Sequence, residues 1–157
     1  MLDTQYSNLS EDDKRLNIRE KVKEGNFTLN RTALNSGVKN LAEFHNYGYK
    51  GLYNGESSND IAKRKKLRYR EDILDNMGSD ELAANFFRIS QTNQELKKEN
   101  KKDENKSNDV HYNVGKDIRN FIKKHGGIMP ENLLTPEKSL KEIERKKIFK
   151  KSIDDNI

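Results

Sequence analysis

Leu82, Phe86, Ile89 and Leu96 recur at helical spacings between Asp80 and about Asn100, and no segment alternates apolar with polar residues as a half-buried strand would. The unit this chain can build is therefore a helix with one apolar stripe, thickened here by Ala83, Ala84 and Phe87. Ser79-Asp80-Glu81-Leu82 has the form of a helix start. Elsewhere the pattern predicts shorter pieces. Ser10 caps a helix whose first turn holds Glu11, Asp12 and Asp13 and whose apolar edge is Leu16, Ile18 and Val22. Gly25 is expected to end it, with a second helix over Asn26–Ser36 stopping at Gly37. Ser57-Ser58-Asn59-Asp60 offers a cap for a basic helix reaching about Leu67. Arg70–Met77 is expected to be a short helix closed by Gly78. Asp109–His125 carries Val110, Val114, Ile118, Phe121 and Ile122 on one side, and Pro136 suits the first turn of a last helix to about Phe149.

The fold class expected is all-α: a bundle of several short and two or three longer helices. Its core must be thin, because hydrophobic residues are 31% and charged residues 36% of the 157, the latter against a usual ~25%. Lys97–Asn108 is almost purely Lys, Glu, Asp, Asn and Ser, too polar to offset the entropy of ordering. It is read as a flexible charged linker between a helical domain over 1–96 and a carboxy-terminal helical pair over 109–149, with a fraying tail over 150–157. Cysteine is absent, so there is no disulfide framework, thiol nucleophile or cysteine-bound metal. No run approaches the ~18 apolar residues of a membrane span, and Met1–Asp13 lacks a secretion signal. The expectation is a cytoplasmic protein with no membrane partner.

Residues that could carry catalysis are few. His45, His111 and His125 lie too far apart in sequence for a helical metal pair and are read as surface or capping histidines. Glu142, Glu144 and Lys146, and the pair Asp72 and Asp75, are what any charged amphipathic helix holds. No phosphate loop, nucleophile elbow or dinucleotide fingerprint is present. The reading is a non-enzyme without cofactor or metal.

Two neighbouring features point to binding instead. Lys63, Arg64, Lys65, Lys66, Arg68 and Arg70 place six cations in eight residues, and on one continuous helix Lys63, Lys66 and Arg70 would share a side. Contacts from such a face to phosphates release counterions and give salt-sensitive binding without sequence preference. An acidic protein surface would serve equally well. Just upstream, Tyr47, Tyr49 and Tyr53 are interleaved with Gly48, Gly51 and Gly55. That segment is either a tight knot against helices or an exposed aromatic surface able to stack on single-stranded bases. The mild net charge of +5 by itself speaks for solubility.

Gly48-Tyr49-Lys50-Gly51-Leu52-Tyr53, Ile61–Leu67 and the unbroken run Ile73–Arg88 resemble the carboxy-terminal region of the bacterial DNA-damage-inducible protein D family. So do His111, Val114-Gly115, Arg119 and Ile122, then Gly126–Glu131, Thr135–Ser139 and the opening Glu11–Leu16. Members of that family carry ahead of this region a domain similar to the Bro domain of phage antirepressors. The chain is too short to hold it, so a short form or an isolated carboxy-terminal half is expected. The resemblance implies an SOS-response protein that engages recombinase filaments on single-stranded DNA, and it supplies no catalytic residues. On that reading Lys63, Arg64, Lys66, Arg68 and Arg70 attract the filament or its DNA, and Tyr47, Tyr49 and Tyr53 anchor it. The alternatives are an antirepressor-like regulator of a host protein and a dimerisation module, with a homodimer through Leu82–Phe87 or the terminal helices.

Overall fold

The structure is a computed structural model that describes residues 10–98 and 102–155. Among these residues it contains no strand. In chain order come α1 (Glu11–Asn35), α2 (Leu41–Leu52), α3 (Ser58–Arg64), a 3-10 turn (Ile73–Asn76), α4 (Ser79–Lys98), α5 (Glu104–Lys124), a second 3-10 turn (Pro130–Asn132) and α6 (Leu140–Asp155). The fold is an all-α bundle of two packed pairs: α1 lies along α4, α2 lies along α5, and α4 meets α5 to join them. Val22, Leu29, Phe44, Leu52, Leu82 and Ile89 are wholly buried where these pairs meet.

Glycine, read as punctuation in the sequence, acts here as a spacer. α1 runs through Gly25 without a break. A Cβ at Gly25 would stand 3.1 Å from the Ile89 Cγ2, so its absence lets α4 approach along the seam that also buries Val22 and Leu29. The α2–α5 crossing is tighter. A side chain on Gly48 would overlap the His111 ring, and one on Gly51 would overlap the Tyr112 carbonyl. A Cβ on Gly115 would lie 2.8 Å from both the Gly48 carbonyl oxygen and the Leu52 nitrogen. Contact between bare backbones is what allows this pair to pack, and it draws the whole tyrosine–glycine segment up to Leu52 into α2.

The expected linker over 97–108 is mostly helix, since α4 extends to Lys98 and α5 starts at Glu104; residues 99–101 lie outside the described residues. Tertiary hydrogen bonds explain the order that composition opposes. Asp103 N–H and the Ser107 hydroxyl both donate to the Ser36 carbonyl at 3.0 Å, and the Glu104 carboxylate accepts from the backbone N–H of Lys39 and Asn40 at 2.5 and 3.0 Å. Ser107 and Asn108 are buried. Those backbone bonds hold the Glu104 carboxyl below the usual carboxylate range. Glu11 does for α4 what Glu104 does for α2: its two oxygens accept from the Ser79 N–H and hydroxyl, each at 2.8 Å.

Three further boundaries differ from expectation. Arg70–Met77 holds only the 3-10 turn, and Gly78 does not close it but presents the carbonyl that accepts from Leu82 N–H in the first turn of α4. α6 starts after Ser139, whose hydroxyl accepts from Glu142 N–H, rather than at Pro136. The tail expected to fray is helical as far as Asp155. No helix among the described residues is long and apolar enough to cross a membrane.

Candidate interaction surface

The basic run does not form one helical face. α3 ends at Arg64, Lys65 caps it, and Lys66 adopts φ 58°. Helix termination requires this left-handed residue: Lys66 N–H reaches back to the Lys63 carbonyl and Leu67 N–H to the Ala62 carbonyl, both at 3.0 Å. Arg70 is likewise left-handed at φ 71°. Lys63, Lys66 and Arg70 are therefore on different structural elements. Two of the six cations are also spent inside the molecule. Arg64 Nε donates to both Glu56 oxygens at 2.9 and 3.1 Å. Lys65 Nζ is buried and donates to Glu81 Oε1 at 2.8 Å, Thr135 Oγ1 at 3.2 Å and the Asn76 carbonyl at 3.3 Å.

Lys63, Lys66, Arg68 and Arg70 remain exposed. The Arg68–Glu71 ion pair, at 3.4 Å on a side chain 90% exposed, is of the solvated kind that holds little energy. Between the two arginines stands Tyr69, 89% exposed, with the Arg70 guanidinium 5.4 Å from its ring centroid. Half-buried Leu67 ties this tip to the core. An aromatic ring held in water among four cations was not singled out from the sequence, although Arg-Tyr-Arg was there to see.

The tyrosines expected to form the anchor are placed otherwise. Tyr53 is wholly buried, Tyr49 is buried and Tyr47 is half-buried. Tyr53 sits in a polar chain that crosses the core. Its hydroxyl donates to Glu81 Oε2 at 2.5 Å and accepts from Asn85 Nδ2 at 2.9 Å. Asn85 Oδ1 accepts from Arg88 Nη2 at 3.0 Å, and Arg88 Nη1 donates to His111 Nε2 at 2.5 Å. His111 Nδ1–H donates to the Phe44 carbonyl at 2.9 Å, which fixes the neutral tautomer. The Arg88 guanidinium also lies 4.8 Å from the Tyr49 ring centroid. Burial dominates the acid–base behaviour: it pushes the Tyr49 and Tyr53 hydroxyls up and the His111 imidazole well down, with the Arg88 charge lowering His111 further. These side chains hold the helices in register and are inaccessible to a partner.

Of the three histidines, His125 is the expected cap of α5. His111 is instead a core residue, and His45 is half-buried with Nε2 2.6 Å from Asn30 Oδ1. Asp72 and Asp75 are held by Arg19 at 3.1 and 2.9 Å. Among the described residues no three His, Cys, Asp or Glu side chains converge so as to hold a metal ion.

Two concavities add to the exposed tip. One, of about 600 Å³ between α2 and α5, is lined by Lys50, Lys116, Arg119 and Lys123 with Tyr112 on its wall, and no carboxylate among the described residues lines it. Arg119 is paired with Glu131 at 2.7 Å. The other, of about 660 Å³ between α4 and α5, is more apolar than polar: Phe87, Val110, Val114, Ile118 and Phe121 line it together with Gln91, Glu95, Asn113 and Asp117. Phe87 and Phe121 are more than half exposed, whereas Leu82 and Asn85 are buried, so the expected Leu82–Phe87 association face reduces to its outward side.

Residues 9–143 match the sequence profile of the DinD C-terminal domain. The chain is 43% identical over 145 residues to DNA damage-inducible protein D of Escherichia coli (strain K12), an alignment that covers 90% of this chain and 53% of that protein. The chain thus spans about half the length of the curated relative it matches. No solved structure matches it.

Proposed function

Because the chain belongs to the DinD C-terminal domain family, we propose that it is a docking module of the bacterial DNA-damage response, acting on recombinase filaments assembled on single-stranded DNA without transforming a substrate. The observation that carries this reading is the Lys66–Arg70 tip. Among the described residues no buried partner neutralises its cations, and Tyr69 presents nearly its whole ring to solvent. Tyrosine and arginine are the residue types that dominate binding energy once a partner excludes water around them. Lys63, Lys66, Arg68 and Arg70 attract filament phosphates or acidic side chains, Tyr69 packs against the docked surface, and the Lys50–Lys116–Lys123 concavity takes a further stretch of phosphate backbone.

The test is fluorescence polarisation of labelled single-stranded DNA, bare and coated with recombinase, over a salt series. The variant is Lys63→Ala with Lys66→Gly and Arg70→Gly, glycine being chosen because both positions are left-handed. Loss of three phosphate contacts is expected to flatten the log–log salt slope by about 2. Equal affinity and slope in the variant would remove the tip from the mechanism. A second reading, a dimerisation module, is favoured by a separate observation, the uncovered α4–α5 groove.

A further inference from the structure

We propose that the second half of α6 docks in the α4–α5 groove of another copy of this chain, reciprocally, to form a closed homodimer. The inference does not rest on the filament reading. Among the described residues, two apolar surfaces have no occupant. In the groove, Phe87 and Phe121 are 54% and 64% exposed above the floor residue Ile118, which is 8% exposed. On α6, Leu140 and Ile143 are buried against the rest of the protein, but Ile148, Phe149 and Ile153 are 70%, 68% and 46% exposed.

The exposed stripe is not a loose continuation of the seam that seats α6 on its own chain. At about 100° per residue, Phe149 and Ile153 lie together, roughly 130° around the helix from the mean direction of Leu140 and Ile143. They face a different neighbour. Length allows this: Phe149 to Ile153 rises about 6 Å, within the about 12 Å from Phe87 to Glu95 along the groove. Charge agrees as well. Arg145, Lys146 and Lys150 border the α6 stripe, and Glu95 and Asp117 are among the residues that line the groove.

The occupant is a second molecule's helix. α6 packs chiefly on α1 and on the Ile73–Asn76 turn, and no α6 residue lines the groove of its own chain. Helix-in-groove docking of this kind relies on apolar anchors a turn apart, as Phe149 and Ile153 are. Reciprocal exchange covers both grooves and closes the assembly at two.

Sedimentation velocity on the full chain over a micromolar concentration series tests this. The expected result is a species of twice the 18.3 kDa chain mass. Phe149→Glu and, separately, Phe121→Glu are each expected to weaken dimerisation at least about tenfold, with unchanged helical circular dichroism because both side chains are exposed. Mixing the two variants restores a weaker dimer, since one intact helix still meets one intact groove. A wild-type monomer at every concentration, a dimer that survives Phe149→Glu, or a mixture that stays monomeric would each overturn the proposal.

Discussion

Replacing Gly115 by alanine sets two well-calibrated effects against each other. In an isolated helix the change is favourable by about 0.8–1 kcal/mol, because alanine loses less backbone entropy than glycine. In this protein the added Cβ meets the Gly48 carbonyl oxygen and the Leu52 nitrogen at 2.8 Å and the Gly51 carbonyl carbon at 3.1 Å. All three are backbone atoms, so no rotamer change relieves the overlap, and α2 must move away from α5. Overpacking of this kind costs about 3 kcal/mol at the upper end of its usual range. The seam that would open also seats Phe44 and the His111–Arg88 hydrogen bond. The net expectation is destabilisation of about 2 kcal/mol or more, or a fall in Tm of about 4–8 °C for a chain of this size. Gly25→Ala is the internal comparison, since there the opposing atom is a side-chain methyl, Ile89 Cγ2 at 3.1 Å. Urea unfolding followed by circular dichroism measures both. A Gly115→Ala protein as stable as wild type, with unchanged m-value, would refute backbone contact as the determinant of the α2–α5 pairing.

Two other outcomes follow from the buried polar chain. Lys65→Met is expected to cost about 3–5 kcal/mol by leaving the Glu81 carboxylate buried without its cation, and the double variant Lys65→Met, Glu81→Gln to recover most of that, because the amide oxygen still accepts from Tyr53; denaturant melts of the four-member cycle check the coupling. Acid is expected to destabilise the fold before its carboxylates titrate. Burial, then the Arg88 charge, lowers His45 from 6.5 to about 4 and also holds His111 well below 6.5. The folded state then binds fewer protons than the unfolded, so stability is present above about pH 6.5 and is lost toward about pH 4. Stability measured at a series of pH values should show that slope, and His45→Gln should flatten it.

Much of the architecture was legible because capping chemistry is local. Ser10, and Ser57 with Asp60, mark helix starts that the structure keeps. What was illegible depends on contacts distant in sequence. Nothing near Gly25 says that it faces Ile89 rather than a turn, and nothing in Lys97–Asn108 says that Ser36, Lys39 and Asn40 are waiting for Asp103, Glu104 and Ser107. The site suffered in the same way. Tyrosines next to glycines left open a tight knot or an exposed surface and were taken as a binding anchor, whereas the glycines bring α5 close enough to bury Tyr49 and Tyr53. A signal for the polar core was nonetheless present: Glu81, Asn85 and Arg88 fall on the same helical stripe as Leu82 and Ile89, where solvated charges do not belong. For the tip, Tyr69 between Arg68 and Arg70 was a better anchor than its upstream neighbours, and only the left-handed turns at Lys66 and Arg70 reveal how it is lifted outward.

Glu11 and Glu104 give the start of one helix to the custody of another: the carboxylate that completes α4 comes 68 residues earlier in the chain, and the one that completes α2 comes 64 and 65 residues later. α4 follows Gly78, which has no side chain to cap it, whereas α2 has its own cap in Asn40, which accepts from Glu43 N–H, and takes from Glu104 only the support of its entry at Lys39 and Asn40. Pulling α1 away is expected to strip the first N–H of α4 of its acceptor, and loosening α5 to free the entry of α2, so a disturbance in one helix is felt at the start of another.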